Sequence, residues 1–244
     1  MIISHSKKFI FFRVTKSGST TAECMLRLCG AFDLSQDVFC HTGEWELEEL
    51  NLPDTPARVE DEFPDRPCKT GWAHATPQHL IDWGVMTLEQ LREYDCYAFL
   101  RPVESRFVSG YLHSMRTGKW GKYGSYGFRP KQFIERWRER QNNFDPKDLL
   151  GRPQIDWYFV GDEQIVQPLD FKNYQAELRK IIDVVGGYQY PEIPRINRAH
   201  QHAIVSPSRR EWAKEIWDKY SDIQEEVIEK YGEDYEFYKR TFGD

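Results

Sequence analysis

Two short segments carry the residue types that grip an oxyanion. The first is Thr15, Lys16, Ser17, Gly18, Ser19, Thr20 and Thr21, placed directly after an apolar run from Phe9 to Val14. Hydroxyls supply hydrogen bonds, the lysine supplies a point charge, and the glycine lets backbone come close to a ligand. A helix starting after this loop would aim its free amides at the same anion. The second segment is Arg101 with Ser109 eight residues on. An arginine at the carboxyl end of a strand stands where open α/β sheets bind ligands. A serine about two helical turns later would hold the same phosphate from another side. Taken singly, each segment also fits a blander role: a turn capped by Ser or Thr, or a strand-end arginine in a salt bridge beside a packing serine. The first loop is not a Walker A loop, which needs GxxxxGK[ST] with the lysine last.

The surrounding pattern supplies elements able to position these groups. FIFFRV, Phe9 to Val14, reads as a strand buried on both faces. AECMLRLCG reads as a helix with Met25, Leu28 and Cys29 on one face and Gly30 as its stop. From Ala31 to Asp65 acidic residues and prolines suggest loops with short helices. Thr76 and Pro77 open a short helix through Ile81, and Thr87 with Gln90 forms a capping box for a helix through Tyr94. Cys96 to Leu100 is a second buried strand, running into a helix whose early turn holds Pro102. Pro130 starts a helix through Arg140. Gln164 to Leu169 is a third strand, and Tyr174 to Val185 a helix ended by Gly186 and Gly187. Ser206 and Pro207 start a helix that runs toward Tyr231 and stops at Gly232. Strands alternating with helices predict one α/β domain over 1–244, with three layers: a central parallel sheet and helices on both faces.

The chain has 244 residues, 40% hydrophobic and 30% charged, with a formal net charge of −6. That is enough apolar matter for a core, and the acidic balance speaks against general nucleic-acid binding. No stretch reaches the ~20 apolar residues of a membrane span. The N-terminus lacks a cleavage-site pattern, so no signal peptide is read there, and a cytoplasmic setting is expected. Five cysteines, Cys24, Cys29, Cys40, Cys68 and Cys96, form no CxxC pair and read as reduced thiols rather than a zinc site.

Together, TKSGSTT after the first strand and R(x)₇S after a later one resemble the sulfotransferases that use 3′-phosphoadenosine 5′-phosphosulfate (PAPS). The resemblance implies a P-loop-like sulfotransferase fold. It implies that Lys16, Ser17, Gly18, Ser19, Thr20 and Thr21 bind the 5′-phosphosulfate and that Arg101 and Ser109 bind the 3′-phosphate. Pro102 follows the arginine at once, where the family often has a polar residue first. HATPQHL is similar to a histidine-bearing segment in the carbohydrate branch, VQPLDFKNYQAELRKIIDVVG to the family's strand-then-helix segment, and INRAHQH with YGEDYEFYKRTF to its C-terminal end. The likeness runs from Phe9 to Phe242, with a poor match from Ala31 to Cys68. It also implies that the basic cluster of Arg195, Arg198, His200 and His202 closes over the nucleotide, with a solvated loop as the alternative.

Sulfuryl transfer needs an acceptor oxygen in line with the sulfur, a base for the acceptor proton and a cation on the leaving phosphate. Lys16 is the expected cation. His74 is the expected base by its likeness to the family's histidine, with His79 as competitor and Glu23 a weaker one. An imidazole pKa of about 6.5 suits that task. The scheme needs no metal. The expected acceptor is a small molecule or glycan, with a carbohydrate hydroxyl first. Trp120, Tyr123 and Tyr126 in the glycine-rich stretch 118–127 would stack on it or pack on the surface. Trp212, Ile216 and Tyr220 recur at helical spacing and read as core. Two rival functions stay open: a nucleotide or small-molecule kinase dependent on magnesium and ATP, and a non-catalytic nucleotide-binding module. Oligomeric state cannot be read from the sequence.

Overall fold

The computed structural model describes residues 1–32, 37–39, 72–117, 134–135, 137–139, 151–189, 211, 215, 217–219 and 221–243. In chain order these give β1 (Ile2–Ser4), β2 (Phe9–Phe11), α1 (Ser19–Leu28), β3 (Val38–Phe39), α2 (Pro77–Asp82), α3 (Leu88–Arg92), β4 (Asp95–Leu100) and α4 (Val103–Thr117). After them come β5 (Phe159–Val160), β6 (Glu163–Gln164), β7 (Gln167–Asp170), α5 (Tyr174–Val184), α6 (Ser221–Lys230) and α7 (Gly232–Phe242). Short 3₁₀ turns occupy Trp72–His74, Gln154–Trp157 and Phe171–Asn173. The chain forms two compact units: Met1–Leu100 with Gln154–Pro194, and Arg101–Pro153 with Arg195–Asp244.

The first unit is built on a five-stranded sheet of order β3-β1-β2-β4-β7. β2, β4 and β7 are parallel neighbours, with Ile10 opposite Cys96 and Phe99 opposite Leu169. β1 is antiparallel to both β2 and β3. Four strands therefore share one direction and β1 runs against them, so the sheet is mostly parallel rather than wholly so. The cause is local. Only His5 to Lys8 separate β1 from β2, and a connection that short can only double back as a hairpin.

The sheet is buried because its strands are apolar on both sides. Phe9, Phe11, Tyr97, Phe99 and Leu169 face one core, filled by Ala22, Met25 and Leu26 of α1, by Cys29 at its C-cap, and by Leu178, Ile181 and Ile182 of α5. Alternation places Ile10, Cys96 and Ala98 on the other face, and these too are buried. There the Cys96 thiol contacts the Leu91 carbonyl of α3 at 3.8 Å. Each fully buried Phe or Leu stabilises the unit by roughly 2 kcal/mol relative to exposure.

The expected strand Gln164 to Leu169 divides in two. Glu163–Gln164 closes a small hairpin with β5, and Gln167–Asp170 alone joins the sheet. Pro168 is tolerated because β7 lies at the sheet edge, where a missing N–H leaves no inner neighbour unpaired.

In the second unit Val103, Phe107 and Tyr111 of α4 pack with Ile134, Trp137, Ile223, Val227 and Tyr231. Arg138 reaches Glu226 at 2.8 Å and Asp222 at 2.9 Å. α6 closes at Lys230, so the helix ends at Tyr231–Gly232 as the sequence suggested, but a further helix follows at once. Tyr231, at φ −107 and ψ 30, breaks the helix and Gly232 opens α7. Glu233 and Asp234 in the new first turn favour a helix N-terminus. Asp234 is buried with Arg106, whose Nη2 also donates to the Arg152 carbonyl at 2.7 Å.

Candidate active site

The segment Thr15–Thr21 follows β2 and runs into the first turn of α1, a strand–loop–helix as its composition predicts. Gly18 is the helix N-cap at φ +76 and brings no side chain to cap the amides behind it. Lys16 also has a left-handed φ, +62, which is costly for a residue with a Cβ. The first intrahelical bond is Ala22 N–H to the Gly18 carbonyl at 3.4 Å. Helix geometry thus leaves the amides of Ser19 and Thr20 ahead of it, directed out of the helix end.

The loop hydroxyls shape the turn. Ser17 Oγ donates to the Val14 carbonyl at 2.8 Å and Ser19 Oγ to the same oxygen at 3.2 Å. Thr20 Oγ1 accepts from Arg13 Nη2 at 3.0 Å. These bonds turn Ser17 and Ser19 inward, where both are buried. The groups best placed for an incoming anion are then the backbone amides of the first helical turn.

Arg13 anchors a buried ionic cluster behind the loop. Its Nη1 stands 2.5 Å from Glu23 Oε2, and Arg27 Nη2 stands 2.7 Å from Glu23 Oε1. Glu23 is 1% exposed, so its carboxylate is an internal counter-charge for two guanidinium groups. That engagement does not suit a base that must reach solvent-borne substrate. Sequence reading passed over Arg13. Its signal was Glu23 and Arg27 one turn apart on α1, an ion pair with a second cation just before the loop.

The backbone of Arg13 holds His74. His74 Nδ1 lies 2.8 Å from the Arg13 carbonyl oxygen. A carbonyl only accepts, so Nδ1 carries the proton and the neutral ring keeps its lone pair on Nε2. Burial, and then the Arg13 guanidinium, push the imidazole down from its ordinary 6.5 to about 3. His79 differs. Its Nδ1 accepts from the Thr76 amide at 3.2 Å while its own amide donates to Thr76 Oγ1 at 3.2 Å, a capping box on α2. Its ring also stacks on Trp83 at 5.0 Å. His79 is occupied as a helix cap.

The second motif belongs to the second unit. Arg101 follows β4 directly, and Ser109 is on α4, half-buried. Arg101 Nε donates to Ser105 Oγ at 2.8 Å. Ser105 and Ser109 are four apart on one helix, so they share a face one turn from each other. Ser105 was not singled out in the sequence, although it lies four residues from both Arg101 and Ser109. Burial, then the neighbouring Arg106, lower the Arg101 pKa from 12.5 to about 10, with Glu104 acting against them. Arg101 is therefore a charged guanidinium at neutral pH in a part-buried setting with a second guanidinium nearby.

The structure joins the Thr15–Thr21 loop to His74 through Arg13, and groups Arg101 with Ser105 on the face that also bears Ser109. Arg195, Arg198, His200, His202, Trp120, Tyr123, Tyr126, Trp212, Ile216 and Tyr220 lie outside the described residues.

A mostly parallel α/β sheet whose second strand runs into a helix capped only by Gly18 is an arrangement that can receive an oxyanion at the helix N-terminus. The chain matches the family model described as "Sulfotransferase family" over residues 1–240, and it belongs to that family. No curated protein and no solved structure matched the chain. Sulfuryl transfer is the reaction class of the family. Among the described residues, no helix is long and apolar enough to cross a membrane.

Proposed function

We propose that residues 1–244 act as one PAPS-dependent sulfotransferase domain whose acceptor is a hydroxyl, first of all on a carbohydrate. The observation that carries this reading is the turn capped by Gly18, with Lys16 in it and outward amides behind it, tied through Arg13 to a histidine of defined tautomer. Backbone amides of Ser17 to Thr21 and the Lys16 ammonium hold the donor's 5′-phosphosulfate. Arg101, Ser109 and Arg198 hold its 3′-phosphate. For Arg101 the support is its burial, and then the nearby Arg106, both of which disfavour its charge and which a bound phosphate dianion would offset.

In the transfer step the acceptor oxygen attacks sulfur in line with the bridging oxygen. The S–O bond to the phosphate breaks, and the nucleotide leaves as 3′-phosphoadenosine 5′-phosphate (PAP). The acceptor proton goes to His74 Nε2, and Lys16 balances the charge growing on the leaving oxygen. The low His74 pKa belongs to the protein without a ligand. Donor anions nearby would raise it toward the range in which an imidazole takes a proton, because negative charge favours the protonated ring.

The test is titration with PAP, with ATP and magnesium as comparison, on wild type and Arg101→Ala. Tight PAP binding that falls at least tenfold in the variant supports the assignment, since a charged hydrogen bond contributes about 1.5–3 kcal/mol. Preference for ATP with magnesium would move the protein to phosphoryl transfer.

A further inference from the structure

A tyrosine from a distant part of the chain grips the peptide that opens the anion-binding turn. Tyr174, the first residue of α5, donates its hydroxyl to the Gly18 carbonyl at 2.8 Å across 156 positions of sequence. The ring cannot drift. It stacks on Phe99 at 4.3 Å and meets the edge of Phe171 at 5.8 Å. Burial pushes the phenol above its ordinary pKa, with the Thr21 side chain and the Ala22 amide acting the other way. It is therefore a hydroxyl donor at any working pH.

Gly18 is where such a grip matters. Glycine's peptide turns either way at little steric cost. In a trans peptide the carbonyl and the following N–H point in opposite directions. The Gly18 carbonyl is held from two sides, by Tyr174 and by the Ala22 amide at 3.4 Å. The Ser19 amide is thereby directed out of the helix end. A flipped peptide would present oxygen to the anion instead, which repels it. Space around the glycine is tight as well: a Cβ there would stand 2.9 Å from Tyr174 Cε2 and 3.1 Å from Phe171 Cε2.

We propose that Tyr174 is a positioning residue for the donor: its hydroxyl sets the Gly18–Ser19 peptide so that an amide, not a carbonyl, faces the 5′-phosphosulfate. This rests on the donor reading above and adds a residue that touches no reacting atom.

The experiment measures Kd by calorimetry for PAP and for adenosine 3′-phosphate, which lacks the 5′ group, on wild type and Tyr174→Phe. Loss of the hydroxyl's hold on the loop should raise the Kd for PAP about fivefold. Binding of adenosine 3′-phosphate should stay within twofold, and the ligand-free melting temperature should move little. Equal weakening of both ligands would make Tyr174 a general structural residue and overturn the proposal, as would an unchanged Kd for PAP. If Tyr174→Phe does not fold, Gly18→Ala takes its place, because its Cβ displaces the tyrosine ring. The same selective loss is expected, and undiminished PAP binding by that variant overturns the proposal. A wild type that binds ATP but not PAP removes the donor reading alone. ATP against adenosine on Tyr174→Phe then tests the positioning role separately.

Discussion

His74 and Glu23 are both ionisable and both near the loop, yet their surroundings give them opposite duties. His74 is held neutral down to about pH 3, whereas an unfolded chain protonates a histidine near 6.5. Between those values the unfolded state binds more protons, so falling pH favours unfolding. The stability that a neutral His74 contributes is complete above about pH 6.5 and is lost as pH falls toward 3. His74→Asn keeps a donor for the Arg13 carbonyl but has no proton to gain. Its melting temperature should therefore drop less than the wild type's between pH 7 and pH 4.5, measured by scanning calorimetry in matched buffers. A difference between the two proteins that stays constant with pH would contradict the neutral, half-buried ring. Sulfuryl transfer by the same variant should fall at least a hundredfold at saturating donor, the usual scale of general-base catalysis.

Glu23 has the structural duty. Its carboxylate lies between Arg13 and Arg27 with almost no solvent. Glu23→Gln removes the carboxylate charge that pairs with both, which typically costs about 3–5 kcal/mol. The melting temperature should fall by many degrees. Because Arg13 also holds Thr20 and His74, affinity for PAP should weaken in the folded fraction. A variant as stable as wild type would show that water or other groups carry the charge instead.

At the level of elements, α1 and α2 differ in how they begin. α2 starts with a reciprocal capping box, Thr76 with His79. α1 starts at a glycine with no side-chain cap, leaving its first amides to another partner. Thr76→Ala should cost about 1 kcal/mol of stability and leave PAP affinity alone, because it frees only the α2 cap. A shift in PAP affinity would mean that α2 and the histidine before it move together. The same contrast explains what the sequence disclosed. Strong local signals were readable: β2 and β4 from continuous apolar runs, the Thr87–Gln90 cap, the Gly30 end of α1, and the strand–loop–helix around Lys16. The β1 strand was hidden because three residues next to a four-residue turn carry no period of their own. The stop at Tyr231–Gly232 was readable, but the helix after it was not, because a glycine can mark both the end of one helix and the start of the next. Tyr174 could not be found by spacing at all. Its hydroxyl meets Gly18 only after the sheet brings two distant segments together.

For the whole molecule, the order of the chain constrains how it can be cut. The first unit is completed by Gln154–Pro194, and the second is assembled from Arg101–Pro153 and Arg195–Asp244. Neither is one continuous segment, and the family match spans both. A chain ending at residue 194 would keep the sheet, α1, α5 and the Lys16 loop. It would lose Ile223, Val227 and Tyr231, the residues that cover Val103, Phe107 and Tyr111 of α4. It would also leave the buried Arg106 without Asp234. An uncovered apolar helix face with a buried guanidinium that has lost a carboxylate partner favours association over solubility. The truncated protein is expected to aggregate on expression or to melt without a cooperative transition, as judged by size-exclusion chromatography and calorimetry. A soluble, cooperatively melting fragment that still bound PAP would mean that the Arg101 unit is dispensable for the donor. The role given to Arg101 and Ser109 would then have to be withdrawn, while the Gly18 turn would stand.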